Sequence, residues 1–214
     1  MKTVSVTNPL VSTSARVALS AGRVRPAVRI RRLKPRHAPA MLTHLLALPE
    51  RDRYLRFGYL PTDEQIERFV ATLNHSESTL FGVFDEQLTL VGLAQLSYIA
   101  EHQQAQTAEF GVSVAAAARG LGLGRALFQR CIAHARNQGV RHLIVYALSE
   151  NARMLHMARR AGATVERDGG ESLARITLPP PTFKALVLTQ LLDRVARLDY
   201  HIKRLWRALG ALSA

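Results

Sequence analysis

The residues with the most chemical potential in this chain form one run: Val112-Ser113-Val114-Ala115-Ala116-Ala117-Ala118-Arg119-Gly120-Leu121-Gly122-Leu123-Gly124-Arg125-Ala126-Leu127. It reads as a strand that passes through a turn into a helix. Glycine lets the backbone turn sharply and approach a ligand with no Cβ in the way. The N–H groups of a helix start then face outward, with the positive end of the helix dipole behind them. Such a loop suits a pyrophosphate, and Arg119 and Arg125 add positive charge. The same glycines would also serve a tight strand-to-helix turn with no ligand. Two other phosphate loops are disfavoured. No Gly-Lys-Ser/Thr occurs, as a Walker A loop requires. The glycine spacing is Gly-x-Gly-x-Gly, whereas dinucleotide-binding folds use Gly-x-Gly-x-x-Gly.

The elements around this loop alternate. Val28–Leu33 switches between apolar and basic residues, as a strand with one buried face does. Ala38–Leu48 reads as a short helix between Pro35 and Pro49, and Arg51–Tyr59 as irregular. Thr62 and Gln65 have the spacing of a capping box that opens a helix running to about Asn74. Thr79–Phe84 and Leu88–Ile99 form a hairpin about Asp85–Gln87, and Ala108–Val114 is the next strand. Gly122–Gln138 is a helix whose apolar face holds Leu123, Leu127, Cys131 and Ala135. Arg141–Leu148 is apolar enough to be a strand buried on both faces. Asn151–Ala161 is a helix closed by Gly162, and a hairpin about Asp168-Gly169-Gly170 ends the series. This order predicts an α/β domain on a mixed sheet with helices on both faces.

Composition sets the limits. The chain has 214 residues, 48% of them hydrophobic, enough for one domain with a real core. No apolar run reaches the roughly 18 residues of a membrane span. A single cysteine, Cys131, leaves no intrachain disulfide and no cysteine metal cluster; it fits a cytoplasmic protein, and its place on an apolar helix face marks it as core. No metal site is expected. The net charge of +13 is uneven. All the Lys and Arg before Glu50 stand without a carboxylate, residues 50–181 balance, and 182–214 are basic again. Nucleic acid or another anionic surface would therefore meet the two ends and not the body. Residues 1–27 read as a basic arm. After Pro179-Pro180-Pro181, residues 182–210 read as a long amphipathic helix. Its seam is Leu188, Leu191, Val195, Leu198, Ile202, Leu205 and Leu209. That seam could pack on its own domain, make a homodimer or lie on a membrane surface.

At the glycine loop the chain resembles the GCN5-related N-acetyltransferase superfamily. Its coenzyme A loop, Arg/Gln-x-x-Gly-x-Gly/Ala, is matched by Arg119, Gly122 and Gly124. Ala108–Val114 resembles that family's fourth strand and Arg141–Leu148 its fifth. Asn151 and Gly162 stand where the family opens and closes the next helix. The likeness covers residues 28–178. The short run Arg53-Tyr54-Leu55-Arg56-Phe57 is similar to acetyltransferase domains that act on protein lysines.

The resemblance implies a splayed central sheet with acetyl-CoA as co-substrate. Pantetheine would pair with the fourth strand near Val112 and Val114. The pyrophosphate would sit on the N–H groups of Arg119, Gly120, Leu121, Gly122, Leu123, Gly124 and Arg125, with Asn151 nearby. An amine, on a protein lysine or a small molecule, would attack the thioester directly. Glu109 on the fourth strand is the candidate base; a strand-end glutamate in solvent or a salt bridge is the other reading. The family's proton-donating tyrosine position holds Ala158, so the thiolate would leave unassisted, take a proton from water, or meet another residue. Tyr146 and His156 are the candidate stand-ins, beside structural readings of Tyr146 as a half-buried strand aromatic and His156 as an exposed helix residue. The missing tyrosine also motivates a second reading, an acetyl-CoA-binding regulatory module without catalysis.

Overall fold

The computed structural model of the chain describes residues 28–101, 104–181 and Leu191. The basic arm, residues 1–27, lies outside the described residues. So does the C-terminal seam, apart from Leu191, which is helical and exposed.

Seven strands form one sheet in the order β1-β2-β3-β4-β5-β7-β6. Strands β1 (Ile30–Arg32), β2 (Ser78–Phe84), β3 (Leu90–Glu101) and β4 (Gln104–Val114) make an antiparallel meander. Strand β5 (His142–Leu148) joins β4 in parallel, after the crossover that such a pair requires. Strands β6 (Thr164–Asp168) and β7 (Glu171–Thr177) close the sheet as a hairpin, with β7 against β5. The sheet is mixed, as expected.

Each strand sends alternate side chains to opposite faces. On one face, Phe81, Ala94, Leu96, Ala108 and Phe110 meet helix α4 (Leu123–Asn137). That helix presents Leu123, Leu127, Cys131 and Ala135, four residues apart on one stripe. Helix α5 (Ala152–Arg160) joins the same cluster through Ala158. On the other face, Leu80, Leu90 and Leu93 meet Met41 and Leu45 of α1 (Ala38–Leu46) and Ile66 and Val70 of α3 (Asp63–Ala71). Thr62 and Gln65 make the expected capping box. The Thr62 N–H donates to Gln65 Oε1 at 2.9 Å, and the Gln65 N–H donates to Thr62 Oγ1 at 3.3 Å.

Three expectations are corrected. Residues 51–59 are not irregular: Glu50–Phe57 form helix α2. The apolar pattern fails there because none of its residues is fully buried. The helix is specified by its ends instead. Pro49 is its N-cap, Glu50 and Asp52 lie in the first turn, Arg56 lies in the last turn, and Gly58 at φ +80° stops it. Helix α3 ends at Ala71, short of Asn74. Strand β4 begins at Gln104, ahead of the expected start at Ala108.

One buried polar pair locks the loop's foundation. The His44 ring on α1 bonds Leu90 O through Nδ1 and Ser113 Oγ on β4 through Nε2, both at 2.9 Å. Burial lowers the imidazole pKa and favours the neutral ring.

Candidate functional site

The site begins where two strands part. β4 and β5 are paired only from Thr107 opposite His142 to Glu109 opposite Ile144. Beyond those residues β4 keeps its partner β3 up to Val114, and β5 keeps its partner β7. A wedge therefore opens beside Phe110–Val114. The backbone polar groups that this stretch turns toward β5 have no strand to meet. Val112 and Val114 lie on this open edge, half-buried against the α4 cluster.

On the α2 face, the wedge mouth is a cleft of about 300 Å³. Glu109 lines one wall and Tyr146, Ala147 and Leu148 of β5 another. Leu55, Arg56, Phe57 and Gly58 roof it, and Glu171 closes the β7 side. Alternation explains why Glu109 is here: its neighbours Ala108 and Phe110 enter the core on the opposite face. Strand β5 is not buried on both faces throughout, because Tyr146 is 57% exposed where its neighbour strand has turned away.

Arg56 of α2 reaches the sheet over Gly111. A Cβ on Gly111 would lie 2.7 Å from the guanidinium carbon, so any larger residue there would displace the guanidinium. Arg56 donates to Gln95 Oε1 at 2.9 Å, while its Nε is buried with no partner among the described residues. Desolvation lowers the Arg56 pKa, and the nearby Glu109 carboxylate opposes that shift.

The glycine loop stands at the far end of β4. Gly120 at φ +77° and Gly122 at φ +79° occupy the left-handed region that favours glycine. Gly122 is the N-cap of α4 and supplies no side-chain cap. The first N–H of the new helix to find a backbone partner is that of Ala126, on Gly122 O at 3.0 Å. Those of residues 120–125 bond nothing among the described residues. Gly124 differs from its two neighbours. Its φ is ordinary, and a Cβ there would meet only Val114 Cγ2, at a comfortable 3.8 Å. The fold does not need glycine at 124. Leu121 is exposed, Leu123 anchors the loop in the core, and Arg125 faces solvent.

The Arg119 side chain is already engaged, in an ion pair with Asp52 of α2. Arg51 lies 4.0 Å from Glu150 beyond the other strand. Helix α2 thus touches both sides of the wedge. The remaining candidates fall as follows. Asn151 caps α5, its Oδ1 accepting from the Met154 N–H at 3.2 Å. Ala158 is fully buried in the core. His156 is exposed and does not line the cleft. Cys131 is fully buried, and burial drives its thiol far above the ordinary range. The described residues contain no group of three His, Cys, Asp or Glu able to hold a metal ion, and no helix long and apolar enough to cross a membrane.

Sequence reasoning missed Asp52, Arg56 and Glu171. The signals for the first two were the caps at Pro49 and Gly58, and a glycine at 111 inside an apolar strand.

Residues 27–164 match the profile of the acetyltransferase (GNAT) domain. Mycothiol acetyltransferase of Cellulomonas flavigena is 49% identical over 45 residues, 21% of this chain but only 13% of that protein. The GNAT domain of S. lividans PAT superposes with a TM-score of 0.61 at 20% identity, over 71% of this chain and 90% of that one. A GNAT superfamily phosphinothricin acetyltransferase from Sinorhizobium meliloti, solved in complex with acetyl-CoA, gives 0.55 at 14% identity, over 73% and 94%. At these identities the two solved structures share the fold with this chain.

Proposed function

This chain belongs to the acetyltransferase (GNAT) domain family, and we propose that it moves acetyl from acetyl-CoA to an amine. The observation that carries this reading is the wedge between β4 and β5, with a loop of N–H groups unpartnered among the described residues at one end and a carboxylate-lined cleft at the other.

The residues fit the co-substrate. The N–H groups of Gly120, Leu121, Gly122, Leu123, Gly124 and Arg125 would hold the pyrophosphate, aided by the Arg125 charge and by Arg119 once it leaves Asp52. The absence of a Cβ at Gly124 lets the diphosphate come close. The open edge of β4 near Val112 and Val114 would pair with the pantetheine amides, with Asn151 at the start of α5 across the wedge. Acetyl-CoA supplies an activated thioester. The acceptor would enter past Phe57 and Tyr146 as an ammonium, drawn by Glu109 and Glu171. Glu109 would take its proton, directly or through water, and the freed amine would attack the thioester carbon. A protein lysine and a small amine both meet these requirements.

A second reading keeps coenzyme A binding without transfer. Ala158, buried and without a proton to give, favours it. One experiment separates the two. Thiol release from acetyl-CoA is followed with a panel of small primary amines and lysine peptides, beside calorimetry with CoA. Release with any acceptor supports the enzyme; CoA binding with no release across the panel supports the module.

A further inference from the structure

The proposed transfer leaves one proton to be placed. When the tetrahedral adduct collapses, the carbon–sulfur bond breaks and its electron pair goes to sulfur. We infer that Tyr146 protonates this departing thiolate, an inference that rests on the acetyl-transfer reading above.

Four observations bring Tyr146 to this role. First, the other candidate is misplaced: His156 is exposed outside the cleft, and Ala158 at the family's tyrosine position has no proton to give. Second, register fixes its place. Glu109 sits opposite Ile144 in the last paired position, so Tyr146 lies two residues further along β5 on the same face as Glu109. Strand spacing of about 4.8 Å and a rise of about 3.3 Å per residue separate their Cα positions by at least roughly 8 Å. A reacting carbon fits between a carboxylate and a phenol placed so. Third, Tyr146 is 57% exposed although β5 is an interior strand of a seven-stranded sheet. It lines the cleft together with Glu109. Fourth, its hydroxyl bonds no other group among the described residues and is open to the cleft.

The step balances as follows. Glu109 removes one proton from the ammonium, and the amine lone pair forms the new carbon–nitrogen bond. As the carbon–sulfur bond breaks, the Tyr146 hydroxyl gives its proton to sulfur. The surplus proton on the attacking nitrogen returns through water to the Tyr146 phenolate, and the amide keeps the last N–H. One proton reaches solvent from Glu109. The charged groups facing Tyr146 are Glu109 from β4, Glu171 from β7 and Arg56 from α2.

The test is Tyr146→Phe, which keeps the ring and removes only the hydroxyl. CoA itself is the first probe: the thiol of bound CoA is titrated through thiolate absorbance. A hydroxyl that donates to sulfur stabilises the thiolate, so the bound thiol should titrate higher in the variant, with CoA affinity within twofold. Turnover with a reactive amine of the panel should fall about 10²–10⁴-fold in kcat, with KM for acetyl-CoA unchanged. A thiol that titrates alike in both proteins overturns the inference. So does a variant that raises only KM for the amine, which would make Tyr146 a wall for the acceptor. A shifted titration in a wild-type protein that releases no thiol with any amine overturns acetyl transfer itself, and leaves Tyr146 as a contact to the bound thiol.

Discussion

Gly124→Glu separates what the loop does for the fold from what it does for a ligand. The backbone at 124 is ordinary, and its Cβ would meet nothing closer than 3.8 Å. Position 124 lies in the first turn of α4. Replacing glycine within a helix gains about 0.5–1 kcal/mol. A carboxylate near a helix N-terminus adds about 0.3–1 kcal/mol. The variant should therefore melt no lower than the wild type, and up to a few degrees higher. Ligand binding should go the other way. A carboxylate about 5 Å from a phosphate charge repels it by roughly 3 kcal/mol at an effective dielectric constant near 20. With exposure and salt, a loss of about 10–100-fold in CoA affinity is the expectation. Gly122→Ala is the contrast. Its φ of +79° costs an alanine about 1–2 kcal/mol, so that variant should lose stability before it reports on binding. Thermal melts and calorimetry with CoA measure both quantities. A folded Gly124→Glu protein that binds CoA within twofold of the wild type would refute the placement of the pyrophosphate.

Glu109→Gln should lower acetylation about 10²–10⁴-fold at neutral pH, with acetyl-CoA affinity little changed; a wild-type rate across a pH series would remove its role as base. Asp52→Asn releases Arg119 from its ion pair, which is worth about 0–1 kcal/mol at a partly exposed site, so calorimetry should show CoA binding up to about fivefold tighter. Weaker binding would mean that Asp52 organises the loop. Burial, with the Arg31 and Arg36 charges behind it, lowers His37 from 6.5 to about 4. The unfolded chain then binds the extra proton between these values, so His37 stabilises the fold above pH 6.5 and that contribution drains away as pH falls to 4. Urea midpoints should drop over this window, and less steeply in His37→Gln; equal slopes would show that other groups carry the effect.

The legible parts of the sequence were those with a periodic or a chemical signature. The apolar runs of β2 and β3 about the Asp85–Gln87 turn, the stripe from Leu123 to Ala135 and the Thr62–Gln65 box each imply their element from local physics alone. The glycine loop was legible for the same reason, since Gly120 and Gly122 meet a backbone need. Helix α2 was not legible by periodicity, because it buries no residue fully and lies over a cleft. With it went the cleft's roof: Arg56 and Asp52 become site residues only when a long-range contact brings them to Gly111 and Arg119. The exposure of Tyr146 was hidden too. Its strand reads as buried on both faces, and only the tertiary arrangement around the cleft leaves this side chain open.

The central claim is that coenzyme A seats on the N–H groups of residues 120–125 and along the open edge of β4. Amide hydrogen exchange, with and without acetyl-CoA, tests it at those groups. The N–H groups of Gly120 to Arg125 bond nothing among the described residues and should exchange fast in the free protein. Saturating acetyl-CoA should protect them, together with amides on the β5 side of Phe110–Val114. Acetyl-CoA that binds and protects other segments, while residues 120–125 still exchange as in the free chain, would contradict the account.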